Sequence, residues 1–367
     1  MRILLVGGGT GGPVMPLIAV QQYLKKQHRD AKFLLVGTNS GPEQNMAHEH
    51  GIDFVAVPAG KWRRYFSLAN AAAPFLVFAG FFRAIGIIRK FRPDAAFAAG
   101  GYVAVPVILA AKLLKVKIAI HQQDVQPSLT NKILAPLADK ITVSFEHSLK
   151  DFPSGSGFGS SRGTAHKVEW TGNPVMETLL ENKKSVSDSR KELSLRSDFP
   201  VILVVGGATG AVGLNKIVLQ ALPELVKFAQ VVHVTGAGKE VEFKHENYRQ
   251  FSFVKNMSEF YSAADIVVCR AGLSTISELS ALGKVSVVVP MPDSHQDYNA
   301  LALHIKNAAV CIPEKALTGE ILAKLIRKLL LSGEDQKTLS ENMKNFMPKH
   351  ADEKIATIIT HLCQEKK

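Results

Sequence analysis

The sequence predicts an α/β protein of two domains, each built on a parallel sheet, facing one another across a cleft. Two observations carry this. A phrase is written twice, roughly two hundred residues apart: the apolar run Arg2–Val6 enters the turn Gly7–Gly12, and Val201–Val205 enters Gly206–Ala211. A tight strand-to-helix turn calls for residues without a Cβ and leaves backbone N–H groups at a positive helix end. The second observation is the alternation of strand-like and helix-like segments along the whole chain, the pattern of parallel sheets with crossover helices.

In the first half, strands are expected near 2–6, 32–37, 53–57, 95–99, 117–121, 140–145 and 168–171, with helices between them, including a long one ending near Lys90. In the second half, strands are expected near 201–206, 230–235, 251–254, 265–269, 285–290 and 309–312. Helices are expected near 211–227, 273–282, 296–308 and 317–331, with one or two more at the C-terminus. The Gly/Ser-rich run Pro153–Gly163 reads as a surface loop, and Thr171–Pro174 stops the last strand of the first half. This divides the chain into 1–174, 175–345 and a C-terminal helical segment, 346–367, expected to pack back toward the first domain.

With 367 residues, 46% hydrophobic and 21% charged, the chain is long enough for two cores and too apolar for disorder. Cys269, Cys311 and Cys363 lack metal-ligand or disulfide-framework spacing and fit a reducing compartment. The opening Ile3–Val6 is too short for a signal peptide. No run of about 18 uninterrupted apolar residues is present, which predicts a soluble or peripheral protein. The formal charge of +12 implies an anionic partner. A phosphorylated substrate or an anionic membrane face ranks above nucleic acid, because no zinc-finger spacing or RNA-binding signature occurs.

One segment departs from the pattern. Lys61–Phe66 precedes an aromatic run that includes Phe75, Phe78, Phe81 and Phe82, rimmed by Arg83, Arg89 and Lys90. An apolar wedge ringed by cations is what contact with an anionic membrane interface requires, and Trp62 and these phenylalanines are its candidate members. The alternative is a helix with a wide core face.

Gly7-x-Gly9-x-x-Gly12 matches the dinucleotide fingerprint formally. The second strand, however, ends in Val36–Asn39 without the acid that would bind a ribose, and neither glycine turn is followed by a P-loop lysine. A nicotinamide oxidoreductase or an NTPase is therefore disfavoured. More telling is Val267–Glu278. A buried strand ends at Arg270–Gly272, and Leu273, Ser274, Thr275, Ile276 and Ser277 open a helix whose first-turn amides and hydroxyls can hold a diphosphate. Glu278, about one turn on, is placed to accept both hydroxyls of a ribose. The polar stretch Pro290–Ala300 brings amide and imidazole groups that can read sugar hydroxyls. No Asp-x-Asp pair occurs, so a sugar-nucleotide enzyme of this kind would stabilise its leaving diphosphate by helix ends, with no metal and no cofactor.

Taken in order, these motifs resemble the MurG-type family of peptidoglycan N-acetylglucosaminyltransferases. The resemblance rests on Gly7–Gly12 with Pro16 and Ala19, Gly100–Val103 with Pro106, His121–Asp124 through Leu129–Asn131, Ala135–Asp139, Thr171–Val175, Gly206–Ala211 with Asn215, Cys269–Glu278, and Gln296 with Asn299–Ala300. It spans essentially the whole chain. It implies two Rossmann-like domains in the GT-B glycosyltransferase architecture and transfer of N-acetylglucosamine from UDP-N-acetylglucosamine to lipid I, forming lipid II, with inversion. It also implies a peripheral position on the anionic cytoplasmic face of the cell membrane. By position, the donor would meet Thr10, Gly11, Gly12, Asp124, Met176 and Ala208, with Val254 against the uracil, Leu273–Ser277 on the diphosphate, Glu278 on the ribose and Gln296 on the sugar. The acceptor and its diphosphate would meet Gly9, Gly100, Gly101, Tyr102 and Asn131.

Departures fall on functional positions. Where the family has a histidine proposed as base, this chain has Pro13. The family's His-Glu-Gln-Asn reads His121–Asp124, its arginine after the Gly-Asn-Pro-Val motif is Met176, the second glycine loop carries Ala104 and Val105, and the third carries Ala208 and Thr209. Asp124 is accordingly the candidate general base, with His121 a weaker one. A relative acting on another lipid acceptor, or a silent protein that only binds UDP-sugar or lipid I, are the alternatives.

Overall fold

The computed structural model describes residues 1–9, 11–60, 69–152, 167–181, 184–207 and 210–365. The chain forms two compact units, Met1–Met176 with Pro348–Lys367, and Glu177–Met347.

In unit 1 the order is β1 (Arg2–Val6), α1 (Met15–Gln27), β2 (Lys32–Gly37), α2 (Glu43–Glu49), β3 (Asp53–Ala56), α3 (Ala69–Phe91), β4 (Ala95–Ala98), α4 (Ala104–Leu113), β5 (Lys117–Gln122), α5 (Leu129–Leu134), β6 (Lys140–Val143) and β7 (Val168–Trp170). Unit 2 contains α6 (Glu177–Leu180), α7 (Val186–Glu192), β8 (Val201–Val205), α8 (Val212–Leu225), β9 (Gln230–Val234), β10 (Tyr248–Phe251), α9 (Ser258–Ala263), β11 (Ile266–Cys269), α10 (Leu273–Leu282), β12 (Ser286–Val288), α11 (Gln296–Ile305), β13 (Val310–Cys311), α12 (Gly319–Leu331) and α13 (Gly333–Lys344). The last helix, α14 (Ala351–Gln364), belongs to unit 1.

The first sheet runs β3-β2-β1-β4-β5-β6-β7 and the second β10-β9-β8-β11-β12-β13, and every described pairing is parallel. Their central strands are buried on both faces, which explains why Ile3–Val6 and Val201–Val205 read as continuous apolar runs instead of alternating. In each sheet the chain reverses its direction of winding between the first strand and a later one, β1 beside β4 and β8 beside β11. Ligands of open α/β sheets bind outside the carboxyl ends of the strands at such a switch point. The described residues of both glycine turns lie there.

The tenth strand lies at Tyr248–Phe251, three residues before the apolar stretch 251–254 expected from the sequence. It is an edge strand against β9, with Tyr248 inward and Arg249 and Gln250 exposed, so it has no need of a continuous apolar run. Phe253, in the loop beyond, is solvent-exposed. The C-terminal helix buries Ile355, Ala356, Ile359 and Leu362 in the same cluster as Ile3, Leu5, Leu17 and Phe97. Its i, i+4, i+7 stripe needs an apolar partner, and the outer face of β1 and α1 supplies one.

Candidate active site

In unit 2, β11 ends at Cys269 and α10 begins at Leu273 after the N-cap Gly272, which offers no side-chain cap; the first turn contains no acid. The helices after the other glycine turns, α1, α4 and α8, share both features. Elsewhere Ser128, Ser185, Thr318 and Ser332 cap their helices by accepting a backbone N–H. A helix start without cap or acid of its own leaves its amides and its positive end open to an anion from a ligand or from elsewhere in the chain.

At α10 the structure refines the expected diphosphate contacts. Ser274 and Thr275 are half-buried, whereas the Leu273 and Ile276 side chains are core residues. Ile276 N–H is bonded to Gly272 O at 3.0 Å, and Ser277, buried, donates its hydroxyl to Leu273 O at 2.8 Å. Of the first-turn amides and hydroxyls expected to meet the diphosphate, the Ser277 hydroxyl and the Ile276 N–H are thus already bonded within the helix, which leaves the amides of Leu273, Ser274 and Thr275 and the hydroxyls of Ser274 and Thr275 as the candidates. Glu278, one turn on, accepts a hydrogen bond from Tyr261 Oη at 2.7 Å. Burial pushes its carboxyl above the usual carboxylate range to about 7, an effect the Tyr261 hydroxyl partly offsets.

The loop after β12 lies against the same helix start. Gln296 accepts the Met291 N–H at 2.9 Å, and its amide nitrogen lies 4.0 Å from where a Cβ on Gly272 would be. Asn299, buried, donates to Ala271 O at 3.1 Å. Arg270 is buried. Its guanidinium donates to Val289 O and Pro290 O at 3.2 and 3.1 Å and pairs with Glu314, so it holds the 289–296 loop in place. A Cβ on Gly213, in the first turn of α8, would overlap the Glu314 carboxylate, which places that acid at the start of a second uncapped helix. Tyr261 and Glu314 are contributors that the sequence reading missed; neither belongs to a local motif. Val254 is half-buried in the loop after β10. Ala208 lies outside the described residues, as do Thr10 and Trp62.

In unit 1 the first and second glycine loops touch. A Cβ on Gly101 would overlap Gly8 O, and one on Gly9 would lie 2.8 Å from the Tyr102 ring. Both glycines are left-handed, at φ +93° for Gly9 and +84° for Gly101, where a side chain would be strained as well as crowded. Gly8 and Gly9 are thus brought against Gly101 and Tyr102, about ninety residues away in sequence, at the β1/β4 switch point.

His121 is corrected from candidate base to structural residue. It is fully buried, with one ring nitrogen 2.8 Å from Thr142 Oγ1 and the other 3.1 Å from both Asn173 Oδ1 and Ser144 Oγ. Burial holds it neutral down to a pKa of about 4. Asn131 is likewise buried, donating to His121 O at 3.0 Å and Gln122 Oε1 at 2.7 Å, so it shapes the loop instead of touching an acceptor. Gln122 in turn donates to Asp124 O and Gln126 O at 2.7 and 3.0 Å. Asp124 sits half-exposed on this braced loop at the carboxyl end of β5. Met176 is half-buried and packs on the Ile3–Leu17–Ile355 cluster. Among the described residues no group of three or more His, Cys, Asp or Glu could hold a metal ion.

Helix α3 buries a stripe of Ala73, Gly80, Ala84 and Ile88. A Cβ on Gly80 would overlap Pro58 O, so the backbones approach closely and the core face is narrow, not wide. The aromatic rings are displaced outward: Phe75 is 78%, Phe78 66% and Phe82 54% exposed, while Phe81 is partly buried against the core. Phe82 meets both Phe78 and Phe81 edge-on. The segment Ala72–Phe91 is long and apolar enough to cross a membrane, which the expectation of no such span missed by counting only uninterrupted runs. With one side docked on its own sheet, the helix presents the other as a patch.

Two parallel-sheet units, each with uncapped helix starts at its switch point, define the GT-B class of glycosyltransferase architecture. Residues 3–143 match the glycosyltransferase family 28 N-terminal domain and 201–354 its C-terminal domain. The chain is 36% identical to the UDP-N-acetylglucosamine--N-acetylmuramyl-(pentapeptide) pyrophosphoryl-undecaprenol N-acetylglucosamine transferase of Bacillus licheniformis, covering 93% of this chain and 92% of that one. It is 33% identical to the protein of the same name from Caldicellulosiruptor saccharolyticus, covering 98% and 97%. The crystal structure of Acinetobacter baumannii MurG superposes with a TM-score of 0.72 at 25% identity, over 98% of this chain and 99% of that one. The chain belongs to glycosyltransferase family 28, in its MurG branch of N-acetylglucosaminyltransferases.

Proposed function

We propose that this protein transfers N-acetylglucosamine from UDP-N-acetylglucosamine to the muramyl sugar of undecaprenyl-diphosphoryl-N-acetylmuramoyl-pentapeptide, inverting the anomeric carbon. The observation that carries this is the uncapped start of α10, with Ser274 and Thr275 outward, Glu278 one turn along and the Gln296 amide beside Gly272. A nucleoside diphosphate sugar needs these groups in this order: amides for the diphosphate, a carboxylate for the ribose, an amide for the sugar.

In the reaction the acceptor's C4 hydroxyl attacks C1 of the donor sugar. The new C–O bond forms as the bond to the UDP oxygen breaks, and the charge left on UDP is stabilised by the α10 amides. The hydroxyl proton passes to Asp124. Gly9, Gly11, Gly12, Gly100, Gly101 and Tyr102 would hold the acceptor's diphosphate region. Radiolabelled UDP-N-acetylglucosamine incubated with a short-chain lipid I analogue, with and without chelator, tests the assignment. Label entering the lipid in both arms is the expected result, and label remaining in the aqueous nucleotide overturns it.

The patch on α3 would seat the protein on the anionic cytoplasmic face of the cell membrane, its phenylalanines entering the interface and Arg89 and Lys90, at the end of the helix, meeting headgroups. Burying one phenylalanine contributes on the order of 2 kcal/mol, about tenfold or more in partitioning. Replacing Phe75, Phe78 and Phe82 with Ser is therefore expected to abolish sedimentation with anionic vesicles while leaving UDP-N-acetylglucosamine binding intact. Unchanged sedimentation would remove the membrane assignment.

A further inference from the structure

Glu43 is a fully buried carboxylate beneath the first glycine loop. It begins α2 but does not serve its own helix alone. One oxygen, Oε1, accepts the Gly9 backbone N–H and, at 2.9 Å, the Thr38 hydroxyl. The other, Oε2, is buried and has no hydrogen-bond partner among the described residues. Three glycines make room for it: a Cβ on Gly8 or Gly41 would overlap the carboxylate, and one on Gly37 would lie 3.1 Å from its Cβ. Burying a carboxylate with an oxygen unpaired is costly, so a pocket that the backbone keeps open for one marks a role.

That role follows from what Glu43 grips. Gly9, at φ +93°, is the residue against which the Tyr102 ring packs, and Gly8 is the residue on which Gly101 rests. By drawing the Gly9 amide down into the fold, Glu43 fixes the height of the first loop and, through it, the position of the second. We infer that Glu43 is a positioning residue for the acceptor's diphosphate site, acting through Gly9 and Tyr102 on both glycine loops of unit 1. It touches no substrate. The inference rests on the functional reading above, which supplies the acceptor.

The test measures KM for a lipid I analogue and for UDP-N-acetylglucosamine separately, in the wild type, Glu43→Ala, Glu43→Gln and Thr38→Val. Glu43→Ala is expected to raise the acceptor KM about tenfold with the donor KM unchanged. Glu43→Gln, which keeps an acceptor atom for the Gly9 N–H, is expected to restore most of that loss. Thr38→Val, which removes one of the two donors, is expected to fall between them. An acceptor KM unchanged in Glu43→Ala overturns the inference, as does a parallel rise of both KM values tracking a lower Tm. If Glu43→Ala does not fold, Thr38→Val decides by the same split. A wild type that transfers no label to the lipid defeats the functional reading itself, a result distinct from an active wild type whose variants behave identically.

Discussion

Replacing Asp124 by Asn is expected to lower kcat by a factor of about 100 or more, the range general-base groups contribute, with KM for the donor nearly unchanged. The acceptor hydroxyl must lose its proton as it attacks, and Pro13, at the tip of the first glycine loop, has no group that can take it. Asp124 has both the chemistry and the support. It follows β5 at the carboxyl end of the sheet, and its own carbonyl is fixed by the Gln122 side chain, which is in turn held by Asn131. Asparagine preserves shape and most hydrogen bonds and removes only the basic carboxylate, so a large kcat effect with intact donor binding isolates the proton transfer. Turnover equal to the wild type would remove Asp124 as the base.

The second large effect is expected at Glu278. Glu278→Gln removes the charged acceptor proposed for the ribose hydroxyls, a loss of about 1.5–3 kcal/mol, so the donor KM should rise roughly 10- to 100-fold. The wild type should also show a pH dependence that this variant lacks. Because the carboxyl titrates near 7, the ionised fraction falls about tenfold between pH 8 and pH 6, and the donor KM should rise correspondingly as the solution is acidified. Tyr261→Phe deletes the hydroxyl that favours ionisation and should move the midpoint to higher pH.

Stability runs the other way. Since the folded state raises this pKa, the neutral carboxyl's advantage is complete at low pH and is lost as pH rises from the usual carboxylate range through about 7. Glu278→Gln keeps a neutral side chain throughout, so its Tm at pH 8 should equal or exceed the wild type while activity falls. A pH-independent donor KM in the wild type would refute the assignment of Glu278.

Much of this was legible along the chain. The doubled glycine phrase and the apolar runs before it announced two parallel sheets, because strands buried on both faces need no polar alternation. The start of α10 was legible for a related reason: strand end, turn and first helical turn are contiguous, so a local string contains the whole of the proposed anion site. Tyr248–Phe251 was displaced by three residues because an edge strand buries one face only, and the stronger apolar run beside it is a loop.

What the order of residues determined by itself was the pair of α/β units, their switch-point loops and the chemistry of a nucleotide-sugar site. What only tertiary packing decided were the fates of single side chains. His121 and Asn131 stand in a motif that reads as catalytic, yet the sheet buries both and uses them to brace Asp124. The phenylalanines of α3 face outward because Ala73, Gly80 and Ala84 occupy the stripe where backbones must approach. Glu43, Tyr261 and Glu314 carry no motif, and they matter through residues 34, 17 and 44 positions away, Gly9, Glu278 and Arg270. Hydrogen bonds and close packing act over a few ångströms of space, a distance that spacing along the chain does not measure.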